Sequence, residues 1–327
     1  NILAVLLAVQ VVLGVAAWWP RGDELGEERN LLEIPVDQIE RVAITGRNDG
    51  EKAPEPPVVL VKSADGWTIE SDDGYPAAQN LVDPLLENLG KMKAREIIAT
   101  KSTSFPGLEV GDELYTRKIE VTGTDGEAHT VLVGAASGKE INARVAGEDD
   151  VYRVRGLTAF GIAENANRYF ERQLLKLDAA TVSGIELHRP GQPAFVLEKG
   201  VDGAWTSPGR AEPVVQSEAQ AFVGSLGNVR MLEPAGKEKK PEMGFDHATV
   251  VYLTITDEGG QTRSETYRLG AEIPGESGRL WLALDSTPFV FKAMKGSFQP
   301  ALSQDVAPIF EGGDAPSAGR APPSGSP

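Results

Sequence analysis

The first nineteen residues carry no charged side chain, and this run constrains the chain more than any other feature. Residues 1–19 read NILAVLLAVQVVLGVAAWW, which as a helix would span about 28 Å, close to the hydrocarbon thickness of a bilayer. A helix at the surface of a water-soluble protein has a polar side, and this run has almost none. Pro20 ends the apolar pattern. We therefore expect a transmembrane anchor over residues 1–20, with these anchoring side chains: Leu6, Leu7, Leu13, Trp18 and Trp19.

The main alternative is a cleaved signal peptide, which has a shorter apolar core and small residues at its cleavage site. Bulky Trp18, Trp19 and Pro20 stand where those small residues belong, and this favours a retained anchor. The flank that follows is mainly acidic, whereas cytoplasmic flanks accumulate lysine and arginine. We therefore expect the amino terminus on the cytoplasmic side of the membrane and the body of the protein on the opposite side.

One side of the predicted anchor carries Gln10, Gly14 and Ala17, at helical positions i, i+4 and i+7. Lipid cannot satisfy the glutamine amide, and glycine permits close approach by another helix. This side is a candidate face for a partner's transmembrane helix. The alternative is that a single glutamine is tolerated in lipid without a partner.

The charge balance excludes one large class of partners. The chain has 48 acidic and 32 basic residues, giving a formal net charge of −16. Nucleic-acid binding needs a surplus of lysine and arginine, so it is not expected. The chain has no cysteine, which excludes disulfides, thiolate catalysis and cysteine-ligated metals.

Behind the anchor, alternating apolar residues predict strands, and runs with a period of 3.6 residues predict helices. Helices are expected at residues 80–93 and at 165–177, the second with Phe170, Leu174 and Leu177 on one side. The predicted fold class is α+β, with two antiparallel-sheet-plus-helix domains behind a single transmembrane helix. The predicted parts are the anchor 1–20, a linker 21–34, a first domain 35–177, a second domain 178–310 and a disordered tail 311–327.

The second domain is predicted to repeat the first. Matching residues recur at a nearly constant separation: Trp67 with Trp205, Leu89-Gly90 with Leu226-Gly227, Gly107 with Gly244, and Gly134 with Gly270. The tryptophans are expected in the core. Gly90 and Gly227 are expected to end their helices in the left-handed conformation. Two unrelated domains with ordinary turns are the alternative.

Catalytic motifs are missing from the sequence. It contains neither the G-x-S-x-G nor the H-E-x-x-H pattern. The three histidines, His129, His188 and His247, lie far apart and have no histidine at i+3 or i+4. Residues 134–140 resemble a phosphate-binding loop but are one residue short, and Glu140 replaces the Ser or Thr that would hold magnesium. We predict no catalytic residue, no cofactor and no bound metal.

Several short motifs, taken in order, resemble a known bacterial family of unknown function that is encoded beside gliding-motility-type ABC transporters. They follow an amino-terminal transmembrane segment and cover most of residues 35–310: Asp65-Gly66-Trp67, the Leu85–Leu89 helix, Phe105-Pro106-Gly107-Leu108, the Lys118–Val133 hairpin into Gly134, Val151–Val154, and Arg172 with Leu174 and Leu175. The second half departs from the pattern, because Pro288–Phe291 replaces the strand that holds Tyr152.

The resemblance implies a periplasmic body on the bacterial inner membrane, with the amino terminus in the cytoplasm. It implies an ABC permease, its ATPase and a second periplasmic subunit as partners, and it carries no catalytic residues. We expect a non-enzymatic accessory subunit of an ABC transport complex that offers a partner- or substrate-binding surface. The alternatives are a transporter-independent envelope binding or assembly protein, and a carboxylate-dependent hydrolase.

Overall fold

The computed structural model describes residues 29–137, 140–155, 161–303 and 305–312. The chain packs into two compact units. The first contains the described residues up to Ser71 together with Gln79–Tyr169, and the second contains Asp72–Ala78 together with the chain from Phe170 onward. The second unit therefore includes a short segment from early in the sequence. The predicted domain bounds stay a prediction.

Ten strands lie in the first half of the sequence, and all of them except β5 belong to the first unit. They are β1 (Arg29–Asn30), β2 (Ile39–Thr45), β3 (Val58–Ser63), β4 (Gly66–Ile69), β5 (Tyr75–Pro76), β6 (Lys93–Ala99), β7 (Arg117–Gly123), β8 (Ala128–Ser137), β9 (Glu140–Val145) and β10 (Val151–Arg155). The strands of the first unit are hydrogen-bonded in the order β1-β6-β10-β9-β8-β7-β2-β3-β4, with antiparallel neighbours. Arg29 and Asn30, within the stretch predicted as linker, therefore contribute a strand to this sheet.

The second half of the sequence supplies ten more strands, all in the second unit. They are β11 (Gln173–Lys176), β12 (Val182–His188), β13 (Phe195–Lys199), β14 (Trp205–Thr206), β15 (Asn228–Arg230), β16 (Glu233–Pro234), β17 (Thr249–Thr256), β18 (Thr262–Glu272), β19 (Arg279–Leu284) and β20 (Val290–Met294). Eight of them form an antiparallel sheet in the order β14-β13-β12-β17-β18-β19-β20-β16, and β11 pairs with β15.

The two main sheets share one strand order. The run β4-β3-β2-β7-β8-β9-β10-β6 in the first unit has the same succession as β14-β13-β12-β17-β18-β19-β20-β16 in the second. In each of these two runs, three strands precede an α-helix in sequence (residues 79–90 in the first unit, 216–226 in the second), and the other five strands follow it. This is the pattern that duplication of one unit would leave, although the repeat itself stays a prediction.

The four α-helices of the described residues are short: α1 (Gln79–Gly90), α2 (Phe105–Leu108), α3 (Gln216–Leu226) and α4 (Gln299–Leu302). Helix α1 buries Val82, Leu85, Leu86 and Leu89, whose spacing of three and four residues places them on one side. Pro84 lies inside α1, beyond the first turn.

The predicted fold class, α+β behind a single transmembrane helix, is wrong. Antiparallel sheet dominates, with 42% of the described residues in strands against 21% in helices. No helix in the described part of the chain is long and apolar enough to cross a membrane. The predicted anchor itself, residues 1–20, lies outside the described residues.

One of the predicted helices is not helical. Residues 165–177 form a short 3₁₀ turn at Ala166–Arg168, followed by strand β11. Leu175 on β11 pairs with Val229 on β15, so the backbone here obtains its hydrogen bonds from a neighbouring strand. The helix predicted from the spacing of Phe170, Leu174 and Leu177 is therefore wrong. The local helical pattern is weak, and pairing with strand β15 determines the structure instead.

Close packing explains the recurring glycines. Gly90 and Gly227 do not adopt the left-handed conformation, so that prediction is wrong. A Cβ atom on Gly90 would collide with the side chain of Val36. On Gly134 and Gly270 it would collide with a backbone carbonyl oxygen, that of Leu108 in the first unit and that of Met243 in the second. Each unit therefore brings the carbonyl at the end of a short helical segment against a central strand where only glycine fits.

We expect Gly270→Ala to lower the free energy of unfolding by about 1–3 kcal/mol or more, because the methyl group meets backbone that cannot rotate away. Gly296→Ala is the control, since a Cβ there meets nothing within 4 Å and its φ is not positive. Urea unfolding measures both variants. Equal stability of the two variants would contradict this packing.

Buried tyrosines predict that stability falls at high pH. Burial raises the pKa of Tyr169 to about 12 and also raises the pKa of Tyr267, whose hydroxyl donates to the carbonyl of Leu226 at 3.2 Å. An unfolded tyrosine loses its proton near its ordinary pKa of 10.0, whereas the folded one keeps it. The full stabilisation is therefore present below that pH. Above it, each such tyrosine removes up to about 1.4 kcal/mol per pH unit until its folded pKa is reached.

Replacing Tyr267 by Phe should flatten the alkaline fall in stability, whatever its effect at neutral pH. The control is Tyr252→Phe, because that side chain is exposed. Chemical unfolding at several alkaline pH values measures the slope for each variant. An unchanged slope in Tyr267→Phe would show that burial of this hydroxyl does not contribute.

Candidate binding site: a groove in the second unit

All the residues that we predicted to contact the membrane or a partner's transmembrane helix lie outside the described part of the chain. They comprise the anchoring residues Leu6, Leu7, Leu13, Trp18 and Trp19 and the possible partner face Gln10, Gly14 and Ala17. Their roles stay predictions. Gly134, the first residue of the segment that resembles a phosphate-binding loop, lies within strand β8.

The histidines do not assemble a site in the described residues. His188 is exposed on β12, where its Nε2 atom lies 2.6 Å from Oε1 of Glu186 and its ring packs edge-on against Tyr252. In the part of the chain that the structure describes, no group of three histidine or acidic side chains is placed to hold a metal ion. We interpret the His188–Glu186 pair as a surface contact.

A groove of about 280 Å³ opens on the surface of the second unit. Its first wall is helix α3, which presents Glu218, Ala221, Phe222 and Ser225. These residues stand at i, i+3, i+4 and i+7, so they form one stripe along two turns. The opposite stripe of α3 packs into the core through Ala219, Val223 and Leu226. One side of α3 is therefore packed in the core, and the other side lines the groove.

The second wall comes from the end of the described chain, through Pro300, Val306, Pro308 and Ile309. Strand-like pairing holds this wall next to the start of α3, with an isolated antiparallel bridge between Val214 and Phe310. The N–H of Val215 donates to the carbonyl of Ile309 at 2.8 Å, and that of Glu311 donates to Pro213 at 3.0 Å. Backbone bonds therefore set the spacing between the two walls.

A buried arginine fixes the other end of the second wall. The Nε atom of Arg189 donates to the carbonyl of Ala301 at 2.8 Å, and its Nη2 atom lies 3.4 Å from the carbonyl of Pro300. Burial lowers the pKa of Arg189, because the charged guanidinium loses hydration. These bonds satisfy two carbonyl groups of α4 and hold Pro300 at the groove.

Aromatic packing supports the groove from inside. The ring of Phe222 packs edge-on against Phe195, with centroids 5.8 Å apart, and Phe195 packs in the same way against Phe310. The guanidinium of Arg210 lies over the Phe310 ring at 4.5 Å. This cluster links the helix wall to the carboxy-terminal wall, so the groove is built before any partner arrives.

Two exposed carboxylates flank this apolar surface, Glu218 on α3 and Asp305 on the opposite wall. Oδ1 of Asp305 accepts a hydrogen bond from the N–H of Ala307 at 2.9 Å. Within the described residues, neither carboxylate forms an ion pair. The hydroxyl of Ser225 donates to the carbonyl of Phe222 at 2.6 Å, so its hydrogen bond lies within the helix. The groove can therefore hold an apolar group and attract a cation next to it.

Few local sequence signals predict this groove. Its walls come from two segments about 80 residues apart, and their pairing depends on tertiary contacts. Phe222 is half-buried. The exposed alanine at position 221, beside that aromatic residue, is the one local signal that could have pointed to a cleft on α3.

We expect Arg189→Leu to lower the free energy of unfolding by about 1–3 kcal/mol, because two carbonyl groups lose their donor. Amide hydrogen exchange should speed up in residues 299–303 and 305–311 before it changes elsewhere. The control is Arg263→Leu, which removes an exposed arginine paired with Glu265. Unchanged exchange at the carboxy-terminal wall would show that Arg189 does not hold it.

Comparison with known protein families found a match to the family described as domain of unknown function DUF4340, over residues 67–248. Comparisons with curated proteins and with solved structures found no match. The match confirms the resemblance to a family of unknown function; it carries no information about ABC transporters. Because it covers more than half of the chain, the chain belongs to the DUF4340 family.

Proposed function

We propose that this protein is a non-enzymatic accessory subunit that binds a partner protein through the groove of its second unit. The observation that carries the proposal is the groove itself, a pre-built apolar surface between α3 and the carboxy-terminal wall. Most of the side chains that line the groove are apolar, and the two charged ones, Glu218 and Asp305, are exposed. The groove residues include carboxylates but no histidine, lysine or cysteine. Most of the side chains that commonly act as catalytic bases or nucleophiles are therefore absent from its lining.

The size of the groove favours a polypeptide partner. Pockets that enclose cofactors or drug-sized ligands occupy about 300–1,000 Å³ and bury most of the ligand. The groove, at about 280 Å³, falls just below that range and is open along one side. It is large enough for one or two apolar side chains. Protein interfaces commonly depend on a few such anchors placed in pre-formed pockets.

The wider setting of the proposal is an ABC transport complex at the bacterial inner membrane. The uncharged residues 1–19 support membrane attachment, and the order of the motifs supports the transporter association by resemblance. We propose the permease, its ATPase and a second periplasmic subunit as partners, with the body in the periplasm. An accessory subunit of this kind needs a binding surface and does not need to catalyse a reaction.

Purification of the full chain in mild detergent, followed by mass spectrometry, tests this proposal. We expect the protein in the membrane fraction, together with an ABC ATPase and permease. Ala221→Trp should fill the groove and reduce the recovery of both at least about tenfold, since a steric block removes the anchor contacts. The control is Ala211→Trp, an exposed position that does not line the groove.

Two results would contradict the proposal. Recovery of neither the ATPase nor the permease would favour an envelope protein that works without a transporter. Equal recovery with Ala221→Trp and Ala211→Trp would remove the groove from the interaction. Circular dichroism and thermal unfolding verify that both variants remain folded.

A further inference from the structure

We propose that the occupant of the groove is a basic amphipathic helix, with apolar side chains that enter the groove and lysine or arginine beside them. The inference rests on the proposed binding function and gives the partner's chemistry. It follows from three properties of the groove: the shape of the α3 wall, the hydrogen bonds that already occupy the backbone of both walls, and the charge at the rim.

The α3 wall has the shape of a helix-packing surface. Its stripe from Glu218 to Ser225 extends for about 10 Å, which is two helical turns. Ala221 lies in the middle, where its small side chain leaves a depression beside the half-buried ring of Phe222. Helices pack by inserting the side-chain ridges of one into the depressions of the other. A partner helix could insert apolar residues at i and i+3 or i+4.

The backbone of both walls is already engaged, which disfavours an added strand. The backbone of α3 is bonded within its own helix, and Ile309 and Glu311 use theirs to pair with residues 213–215. Pro300 and Pro308 have no N–H group to offer. Strand addition depends on free main-chain donors and acceptors, whereas a helix in a groove needs side-chain contacts alone.

The charge at the rim selects a basic partner. Glu218 and Asp305 stand on opposite walls, and neither forms an ion pair within the described residues. Each exposed pair that they form with a lysine or arginine should tighten binding by about 2- to 5-fold. The net charge of −16 adds a long-range attraction for basic segments and a repulsion for acidic ones, both reduced by salt.

Synthetic helices test the inference with the full chain. The first probe is a Leu/Lys peptide of about 18 residues, with leucines at i, i+3, i+4 and i+7 and lysines elsewhere. The second replaces every lysine by glutamate. The third keeps the Leu/Lys composition but scrambles the order, so that no apolar stripe forms. Fluorescence anisotropy at low and high salt measures the dissociation constant of each peptide.

We expect the amphipathic Leu/Lys peptide to bind at least tenfold more tightly than either other peptide. Glu218→Gln should weaken its binding by about 2- to 5-fold and reduce the salt dependence. Ala221→Trp should abolish binding by filling the groove. Glu258→Gln removes an exposed carboxylate outside the groove and should leave the affinity unchanged.

Three results would overturn the inference: equal binding of the Leu/Lys and Leu/Glu peptides, equal binding of the scrambled peptide, or equal effects of Glu218→Gln and Glu258→Gln. The last two would mean attraction to the acidic surface in general. If these failures occur while the ATPase and permease still co-purify through the groove, only the partner chemistry is wrong. If the peptide binds as expected but neither transporter subunit co-purifies, the transporter proposal fails instead.

Discussion

Backbone hydrogen bonds between residues 213–215 and 309–311 are the interaction on which the candidate site depends. They hold the last described segment beside the amino-terminal end of α3, and the bonds from Arg189 to the carbonyl groups of Pro300 and Ala301 hold its beginning. Without these two attachments the carboxy-terminal wall would have no fixed distance from the helix. Because both ends are fixed, a partner would meet a surface that needs little reorganisation, and such preorganisation favours affinity.

Along with the shared strand order, both units have the same close contact between the end of a short helical segment and a strand glycine. In the second unit Gly244 adopts a left-handed conformation, with φ of 68°, next to the carbonyl that faces Gly270. In the first unit Glu109 takes that conformation, with φ of 54°, although it is not a glycine. Its carboxylate accepts hydrogen bonds from Nη2 of Arg47 and from the hydroxyl of Thr116, each at 2.8 Å. These bonds offset part of the backbone strain. By its position beside this carbonyl, Glu109 corresponds to Gly244, whereas the sequence pairing had matched Gly107 with Gly244.

Local patterns identified core residues well and predicted the fold class wrongly. The alternation in β17 matches its buried side chains Val251, Leu253 and Ile255, and both Trp67 and Trp205 lie in the core. The α+β assignment was wrong because short apolar runs fit either element, and at residues 173–176 a neighbouring strand decided the outcome. The groove could not be predicted, since its walls meet only after folding.

In-cell photocrosslinking tests most directly whether this groove is an interaction site. A photoreactive amino acid at position 221 lies on the exposed α3 stripe inside the groove, and the same residue at position 211 lies outside it. The account predicts a crosslink from position 221, and not from 211, to a helical segment of an ABC transport subunit that combines leucine-type residues with lysine or arginine. No crosslink from position 221, or equal products from both positions, would contradict it.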